Sequence, residues 1–494
     1  MSAKRDPWSI AGNLDAEVFE THTGVVALIG DRAYKSKKQV VTDFLDFSTT
    51  ERRENACLRE VELNRRMAPH SYLGVGHFSG PDGRTAEPVV VMRRYADADR
   101  LAALVKAGEH VVEHLAVIAQ TLAGLHHSAI RGPAVDAEAT AQAISARWQD
   151  NLSELRRCVG GVLQSEALDE IERTADRFIA GRAELFAARI AAGRIVDGHG
   201  DLLSQDIFCV PDGPVLLDCL DFDDHLRYVD GIDDAAFLAM DLEFLGRKDL
   251  GDLFIDEYRR RANDEAPQAL VDFCIAYRAV VRAKVDCICV AQGHEDAAGD
   301  ARRHIDIALQ HLRSCTVRLI VVGGAPGTGK TTLASALANQ IGASVISTDD
   351  VRKQLLRTGA ISGHAGDLNA GLYSPDNVAA VYDEVLLRAR KMLANGSSVI
   401  LDGTWRDSDQ RTRARAIAAD ADAALVELVC SLPLQQATDR IVSRGPTTSD
   451  ATPQVASALA AQADHPHGVG HVINTARPLT DSLAEAESIC CLAV

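Results

Sequence analysis

Gly324-Ala-Pro-Gly327-Thr-Gly329-Lys330-Thr331 fits the spacing G-x-x-x-x-G-K-[ST], and its flanks are the ones this spacing needs. The apolar run Leu319-Ile-Val-Val322 predicts a strand before it, and the Ala/Leu-rich residues 332–339 predict a helix after it. Glycines let consecutive N–H groups curl around phosphate oxygens, while the helix that follows turns its positive end toward them. Gly324, Gly327 and Gly329 would form that cradle, with Thr332 opening the helix behind it. Lys330 would reach the β- and γ-phosphates, and the hydroxyl of Thr331 would meet Mg2+. The stretch predicts a bound nucleoside triphosphate and leaves its use open.

Working toward the C-terminus, Ala343-Ser-Val-Ile346 reads as a second strand that delivers Ser347-Thr-Asp349-Asp350-Val-Arg352. In open parallel sheets ligands gather at this end of the strands. There Asp349 would take the proton of an acceptor hydroxyl, and Arg352 would clamp an anionic or transferring group. Helix capping is the alternative for this Ser/Thr/Asp cluster. Ser398-Val-Ile-Leu401 predicts a third strand ending in Asp402-Gly-Thr-Trp405, which places a carboxylate near the metal. Residues 425–430 predict a fourth strand, followed by a helix carrying Arg440 and Arg444 and by a polar lid at 447–452. Those two arginines would close over the phosphates. The order resembles small P-loop kinases of the gluconate-kinase, polynucleotide-kinase and zeta-toxin groups, and is unlike motor or AAA+ ATPases. The resemblance covers 317–494. It implies ATP and Mg2+ at Lys330 and Thr331, Asp349 as base, and Arg440 and Arg444 as lid arginines.

Composition narrows the partners. The chain has 494 residues, so two or three domains are expected. A net charge of −18 repels phosphate backbones and anionic membranes, which argues against nucleic acid as partner. The 11 cysteines show no CxxC pair, which predicts reduced thiols rather than a zinc site. No apolar run is long enough for a membrane span. A soluble, cytoplasmic protein acting on a small-molecule hydroxyl is the expectation.

Before the P-loop, residues 25–38 predict a hairpin turning at Gly30-Asp31, with Lys35 and Lys37 on one face of its second strand. A charged helix over 49–67 follows, with Glu60 as a partner for those lysines and Leu58, Val61, Leu63 and Met67 as inward positions. A strand lysine paired with a helix glutamate positions nucleotide phosphates in protein-kinase-like folds. Solvated surface charge is the alternative. His22-Thr-Gly24 is the one candidate for a phosphate-covering turn. Apolar stripes at Leu115, Ile118, Leu122 and Leu125, and at Trp148, Leu152 and Leu155, predict helical core.

Two short strands then bracket His199-Gly-Asp201-Leu-Leu-Ser-Gln-Asp206 and end at Leu217-Asp218. Phosphoryl transfer asks one carboxylate to orient the acceptor hydroxyl and others to hold Mg2+. This segment resembles the aminoglycoside-phosphotransferase family, relatives of protein kinases, whose pattern is H-G-D-x-x-x-x-N followed by a strand ending in I-D. The resemblance covers roughly 15–312. It implies Asp201 as catalytic base, Asp206 and Asp218 as metal ligands, and His199 as the residue shaping the loop. Asparagine is usual at position 206; aspartate there adds a negative charge.

The expected fold is therefore an α+β, two-lobed protein-kinase-like domain over 1–313, followed by an α/β P-loop NTPase domain with a parallel sheet over 317–494. The whole resembles a bacterial family of two-part proteins. Two readings stay open for the first part: a sugar or amino-sugar kinase, or a nucleotide-binding regulatory module.

Overall fold

The computed structural model describes residues 8–10, 14–20, 24–41, 46–79, 86–364, 370–443 and 470–493. His22, Arg444 and the lid at 447–452 lie outside the described residues. By packing, the chain forms two compact units, one of Met1–Gln164, Ala188–Ala266 and Cys274–Ala308, the other of Ser165–Ala187, Pro267–Phe273 and Leu309–Val494.

The first unit opens with β1 (Trp8–Ile10), β2 (Leu14–Glu20), β3 (Gly24–Ile29), β4 (Arg32–Lys37), helix α1 (Thr50–Asn64), β5 (Tyr72–Ser79) and β6 (Ala86–Arg93). These strands form one antiparallel sheet in the order β1-β2-β3-β4-β6-β5. The hairpin closes with Ile29 opposite Arg32, as the Gly30-Asp31 turn predicts. Thr49 caps α1 by accepting from the Arg52 N–H. Val61 and Leu63 face inward as expected, whereas Leu58 is 51% exposed, because the buried stripe runs through Cys57 and Glu60 instead. Cys57, Val61, Tyr72, Val90, Phe208 and Leu217 form one apolar cluster, which seats the glutamate helix against the segments that carry the catalytic candidates.

Helices follow: α2 (Leu101–Ala107), α3 (Val112–Ser128), α4 (Pro133–Ala137), α5 (Ala141–Arg156), α6 (Ser165–Gly181) and α7 (Ala183–Ala191). The two predicted stripes are core, with Leu115, Ile118, Leu122 and Leu155 fully buried. Next come β7 (Ile195–Asp197), β8 (Ile207–Val210), β9 (Gly213–Leu216) and β10 (Tyr228–Asp230). Antiparallel pairing joins β7 to β10 and β8 to β9. Four helices complete this stretch, α8 (Gly231–Phe244), α9 (Lys248–Ala262), α10 (Gln268–Ala291) and α11 (Ala297–Ser314).

The second unit is built on β11 (Arg318–Gly324), α12 (Lys330–Ile341), β12 (Ser344–Ser347), α13 (Thr348–Arg357), α14 (Pro375–Ala394), β13 (Val399–Asp402), α15 (Ser408–Asp420), β14 (Ala424–Ser431), α16 (Leu434–Ser443), β15 (His471–Asn474) and α17 (Leu479–Leu492). Its five strands are parallel in the order β12-β13-β11-β14-β15. A boundary at 314–317 assigns 165–187 and 267–273 to the first domain; by contact they pack with the second unit. Phe178 stacks on Phe273 with ring centroids 4.3 Å apart. Arg182, 1% exposed, donates to Leu393 O and, at 2.6 Å, to Ala421 O. It thereby adds a bond at the Leu393 carbonyl, which also accepts the Gly396 N–H, and satisfies the Ala421 carbonyl at the end of α15.

Candidate functional sites

In the first unit the strand register brings Lys35 and Lys37 to the same face of β4, where both meet Glu60. Lys35 lies 3.0 Å from Glu60 Oε1 and 2.6 Å from Asp218 Oδ1. Lys37 lies 2.7 Å from Glu60 Oε2 and 2.7 Å from Asp221 Oδ2. Glu60 is fully buried, and its carboxyl is nonetheless held down at about 2, because the two ammonium groups outweigh the loss of hydration. Two other glutamates of the helix go elsewhere: Glu54 binds His77 and Glu62 binds Arg59.

Asp201, Asp206 and Asp218 converge in front of these lysines. Loss of hydration pushes the Asp201 carboxyl up to about 6, and the Asp218 charge adds to this. Asp206 is pushed up to about 8, first by desolvation, then by Asp218 and Asp201. By surface area both side chains are half-buried. Asp218 has φ of 63° and a half-exposed side chain, a strained setting of the kind found where a ligand is gripped.

His199 holds this loop, as the resemblance implies. It is fully buried, donates from Nε2 to Leu217 O at 3.2 Å, and accepts the Asp201 N–H on Nδ1 at 3.3 Å. Burial lowers its pKa. One imidazole therefore joins the segment before Asp218 to the backbone of Asp201.

Sequence reasoning missed the layer beneath. Asp234, fully buried in the first turn of α8, accepts the N–H groups of His199 at 2.7 Å and Gly200 at 2.8 Å. Its neighbour Asp233 takes both arms of Arg278, at 2.8 and 2.9 Å. Arg227, in a stretch the resemblance marks as structural, donates to Asp197, Asp224 and Leu220 O. The signal was present: two adjacent aspartates open a helix whose next six residues, Ala235–Met240, are all apolar. Such a pair reads equally well as capping.

In the second unit Gly324, Gly327 and Gly329 have φ of 137°, 80° and 85°. A Cβ on Gly327 would stand 2.4 Å from Ala437 O, so both backbone conformation and space require glycine. Lys330 and Thr331 open α12, with Thr332 exposed on the same turn. Lys330 Nζ reaches back to Ala325 O at 2.9 Å. Thr331 Oγ1 donates to Asp402 Oδ2 at 2.6 Å. Burial raises the Asp402 carboxyl, Thr331 and Lys330 oppose this, and the charges of Asp349 and Asp350 add to it.

Ser347 supplies the cap of α13 by accepting the Asp349 N–H, so the Asp349 carboxylate is not spent on capping. It pairs instead with Arg352 Nη1 at 2.5 Å. The Arg352 guanidinium lies 4.5 Å from the Tyr373 ring centroid. Trp405, three residues past Asp402, is 2% exposed with φ of 47°, and meets Tyr382 edge-on at 4.9 Å. Arg440 is exposed beside Gly329 and donates to Thr475 O at 2.9 Å.

Among the described residues no group of three or more His, Cys, Asp or Glu is arranged to hold a metal by itself. Mg2+ needs less than that from protein, since it keeps waters and takes phosphate oxygens. Asp206 with Asp218, and Thr331 with Asp402, are hard oxygen pairs that fit it. Burial first, and then the charges of Asp218 and Asp201, push Asp206 up to about 8, and a dication would offset both. No helix among the described residues is long and apolar enough to cross a membrane.

A lysine–glutamate pair under an antiparallel sheet, facing a His-Gly-Asp loop, and a P-loop on a parallel sheet define two kinase-like folds in one chain. A family profile described as "AAA domain" matches residues 319–466. That label names a class the motif order is unlike, so the match supports the P-loop fold of this part and no reaction. The chain belongs to the family of the "Uncharacterized protein Rv2004c" of Mycobacterium tuberculosis H37Rv, to which it is 56% identical over 474 residues, 96% of this chain and 95% of that one. Among solved structures, a choline/ethanolamine kinase family protein from Mesorhizobium loti is 16% identical with a TM-score of 0.39, covering 61% of this chain and 94% of its own. A gluconokinase from Sinorhizobium meliloti 1021 is 18% identical with a TM-score of 0.28, covering 35% of this chain and 92% of its own.

Proposed function

We propose that the chain is an ATP-dependent phosphotransferase with two nucleotide sites, each passing the γ-phosphoryl group to a hydroxyl of a small molecule. The observation that carries this reading is the meeting, at one end of the parallel sheet, of a P-loop, a Thr331–Asp402 pair and a half-buried Asp349 beside Arg352. Bound Mg2+ would supply charge neutralisation at the transferring group. Asp349 would accept the acceptor proton once Arg352 turns to the acceptor. Lys330, Arg440 and Arg444 would hold the phosphates.

In the first unit Asp201 suits a general base, since a carboxyl at about 6 is ionised at neutral pH yet basic enough to take a proton. Lys35 would pass from Asp218 to the phosphates when metal charge replaces it there, while Lys37 keeps Glu60 aligned. The acceptors are of the sugar or amino-sugar class, in the cytoplasm, and the charge of −18 disfavours a nucleic acid. Asp206 favours a second reading, in which the first unit binds nucleotide and regulates without turnover.

The test uses the full chain. With Lys330→Ala silencing the second site, ADP release is screened over sugars, amino sugars and nucleosides, and Asp201→Asn serves as the converse. One acceptor whose stimulated release disappears with Lys330→Ala and another whose release disappears with Asp201→Asn support two active sites. Tight ATP binding without turnover in the Lys330→Ala protein selects the regulatory reading. If Lys330→Ala lowers release with none of the acceptors, the role of the P-loop is refuted.

A further inference from the structure

A recess of about 380 Å³ in the first unit is lined by none of the nucleotide-site residues. Its size is that of a small-ligand pocket, which falls at about 300–1,000 Å³. Arg131, Arg194 and Arg261 line it together with His127, against a single carboxylate, Asp264. Both oxygens of Asp264 are already taken by Arg189, at 2.5 and 2.7 Å. Arg131 donates to four main-chain carbonyls, those of His126, His127, Ala129 and Gly193. Among the described residues it has no carboxylate partner. Arg194 likewise donates to Ala262 O and Asn263 O, and reaches Asp264 only at 4.0 Å. Carbonyl contacts anchor these side chains without cancelling their charge. Arg131 and Arg194 thus keep their positive charge at the recess, while Arg261 shares its own with Glu257 at 2.8 Å, on a chain that carries −18 overall.

Its floor leads to the catalytic loop. Tyr258 and His126 both line the recess, and the Tyr258 hydroxyl meets His126 Nδ1 at 2.7 Å. His126 Nε2 meets Asp234 Oδ2 at 2.8 Å, and Asp234 holds the N–H groups of His199 and Gly200. There is no slack in this path. A Cβ on Gly231, also in the floor, would stand 2.4 Å from the Tyr258 hydroxyl and 3.1 Å from His126 Nδ1. The wall connects too, because Gly231 N donates to Arg194 O, one residue before β7.

We propose that this recess binds a small polyanion, a phosphorylated or polycarboxylate metabolite, and that its occupancy is felt at the loop carrying Asp201. The binding claim stands on the recess alone; its consequence for catalysis rests on the reading of Asp201 given above. Arginines supply the recognition through charge-assisted hydrogen bonds. The link to the loop is one of coupled hydrogen bonds that a ligand on Tyr258 or Arg194 would shift.

The test is calorimetric titration of the full-length protein, saturated with Mg2+ and a non-hydrolysable ATP analogue, with inorganic phosphate and separately with succinate. One binding event per chain is expected, and the tighter of the two anions identifies the class. Arg261→Met should weaken it at least tenfold with the affinity for the ATP analogue unchanged, because Arg261 is exposed and, among the described residues, bonds only Glu257 and Gln120. Arg131→Met is the second variant. Hydrogen exchange over 195–206 should slow when the anion binds. Absence of binding by either anion, or binding unaltered in both variants, overturns the site. Binding with unchanged exchange over 195–206 overturns the coupling.

Discussion

Arg352 closes on Asp349 at 2.5 Å, one helical turn along α13, so the carboxylate proposed as proton acceptor already carries a guanidinium. An acceptor must draw that arginine away or share it. Asp349→Asn should lower acceptor-dependent ADP release by about 10²- to 10⁴-fold, the range for losing a general base. Arg352→Gln should act mainly on KM for the acceptor. Steady-state kinetics on the Asp201→Asn background separate the two. Equal losses of kcat in both variants would mean that the pair works only as a structural brace.

Gly327→Ala tests the P-loop cradle through its shape instead of its charge. The added methyl would meet Ala437 O at 2.4 Å, with φ at 80°. Nucleotide binding at this site should fall at least tenfold, and the second unit should lose roughly 1–3 kcal/mol, typical of strain at such a backbone position. Fluorescent-nucleotide titration and urea unfolding measure the two effects.

Asp206→Asn removes one of three crowded carboxylates. The carboxyl at this position is raised in the folded state, to about 8, so folding favours its protonated form. Its contribution to stability is therefore present at low pH and is lost as pH rises from the unfolded carboxylate range through about 8. Without metal, the asparagine variant should melt a few degrees higher at pH 8 than the parent, with the gap closing toward pH 4 or on adding Mg2+ and ATP. Scanning calorimetry at several pH values decides it; a variant no more stable at pH 8 than at pH 4 relative to the parent would contradict this account.

Asp234 carries the opposite sign. His126 and His199 hold its carboxyl well below the usual range, in spite of burial. Such a group contributes stability above its unfolded pKa and loses it as pH falls through the folded value, so acid should loosen the loop around His199. Asp234→Asn should cost about 3–5 kcal/mol, as expected when one partner of a buried ionic set is removed. Denaturant unfolding at pH 7 gives the size. Turnover at Asp201 should fall in parallel, even though Asp234 lies under the loop rather than within the carboxylate cluster.

The Lys330→Ala protein isolates the first site for a pH profile. With Asp201 raised to about 6, its acceptor-dependent rate should climb through an acid limb near that pH and level off above it. A limb near pH 4 would mean that an unperturbed carboxylate does the work.

How much of this could be read beforehand depends on how far apart in sequence the partners lie. The P-loop, the Asp402 strand end and the His199–Asp218 loop are contiguous, and their spacing reports local geometry directly. The Lys35–Glu60 pair needed only a strand period of two and a helix nearby. Asp234 and Arg278 meet the loop, and His126 meets Asp234, across long sequence separations, and nothing local distinguishes a buried aspartate holding N–H groups from an ordinary cap. Leu58 misled because an apolar residue on a charged helix reads as inward when the buried position belongs to Glu60. The segments 165–187 and 267–273 look like their chain neighbours; only the tertiary contacts of Arg182 and Phe273 assign them to the P-loop unit.

The left-handed bend at Trp405 has a practical consequence for anyone watching this protein in solution. Only three tryptophans occur in the chain. Trp405 is sealed against Tyr382 within three residues of Asp402, while Trp148 packs on Tyr277 in the other unit. Replacing Trp8 and either of the remaining two with phenylalanine leaves a single tryptophan in a single unit, excited selectively at the red edge where tyrosine does not absorb. The molecule thus comes with two native optical reporters, one wired to the P-loop floor and one to the helical core of the other fold, and each can be followed without attaching a dye.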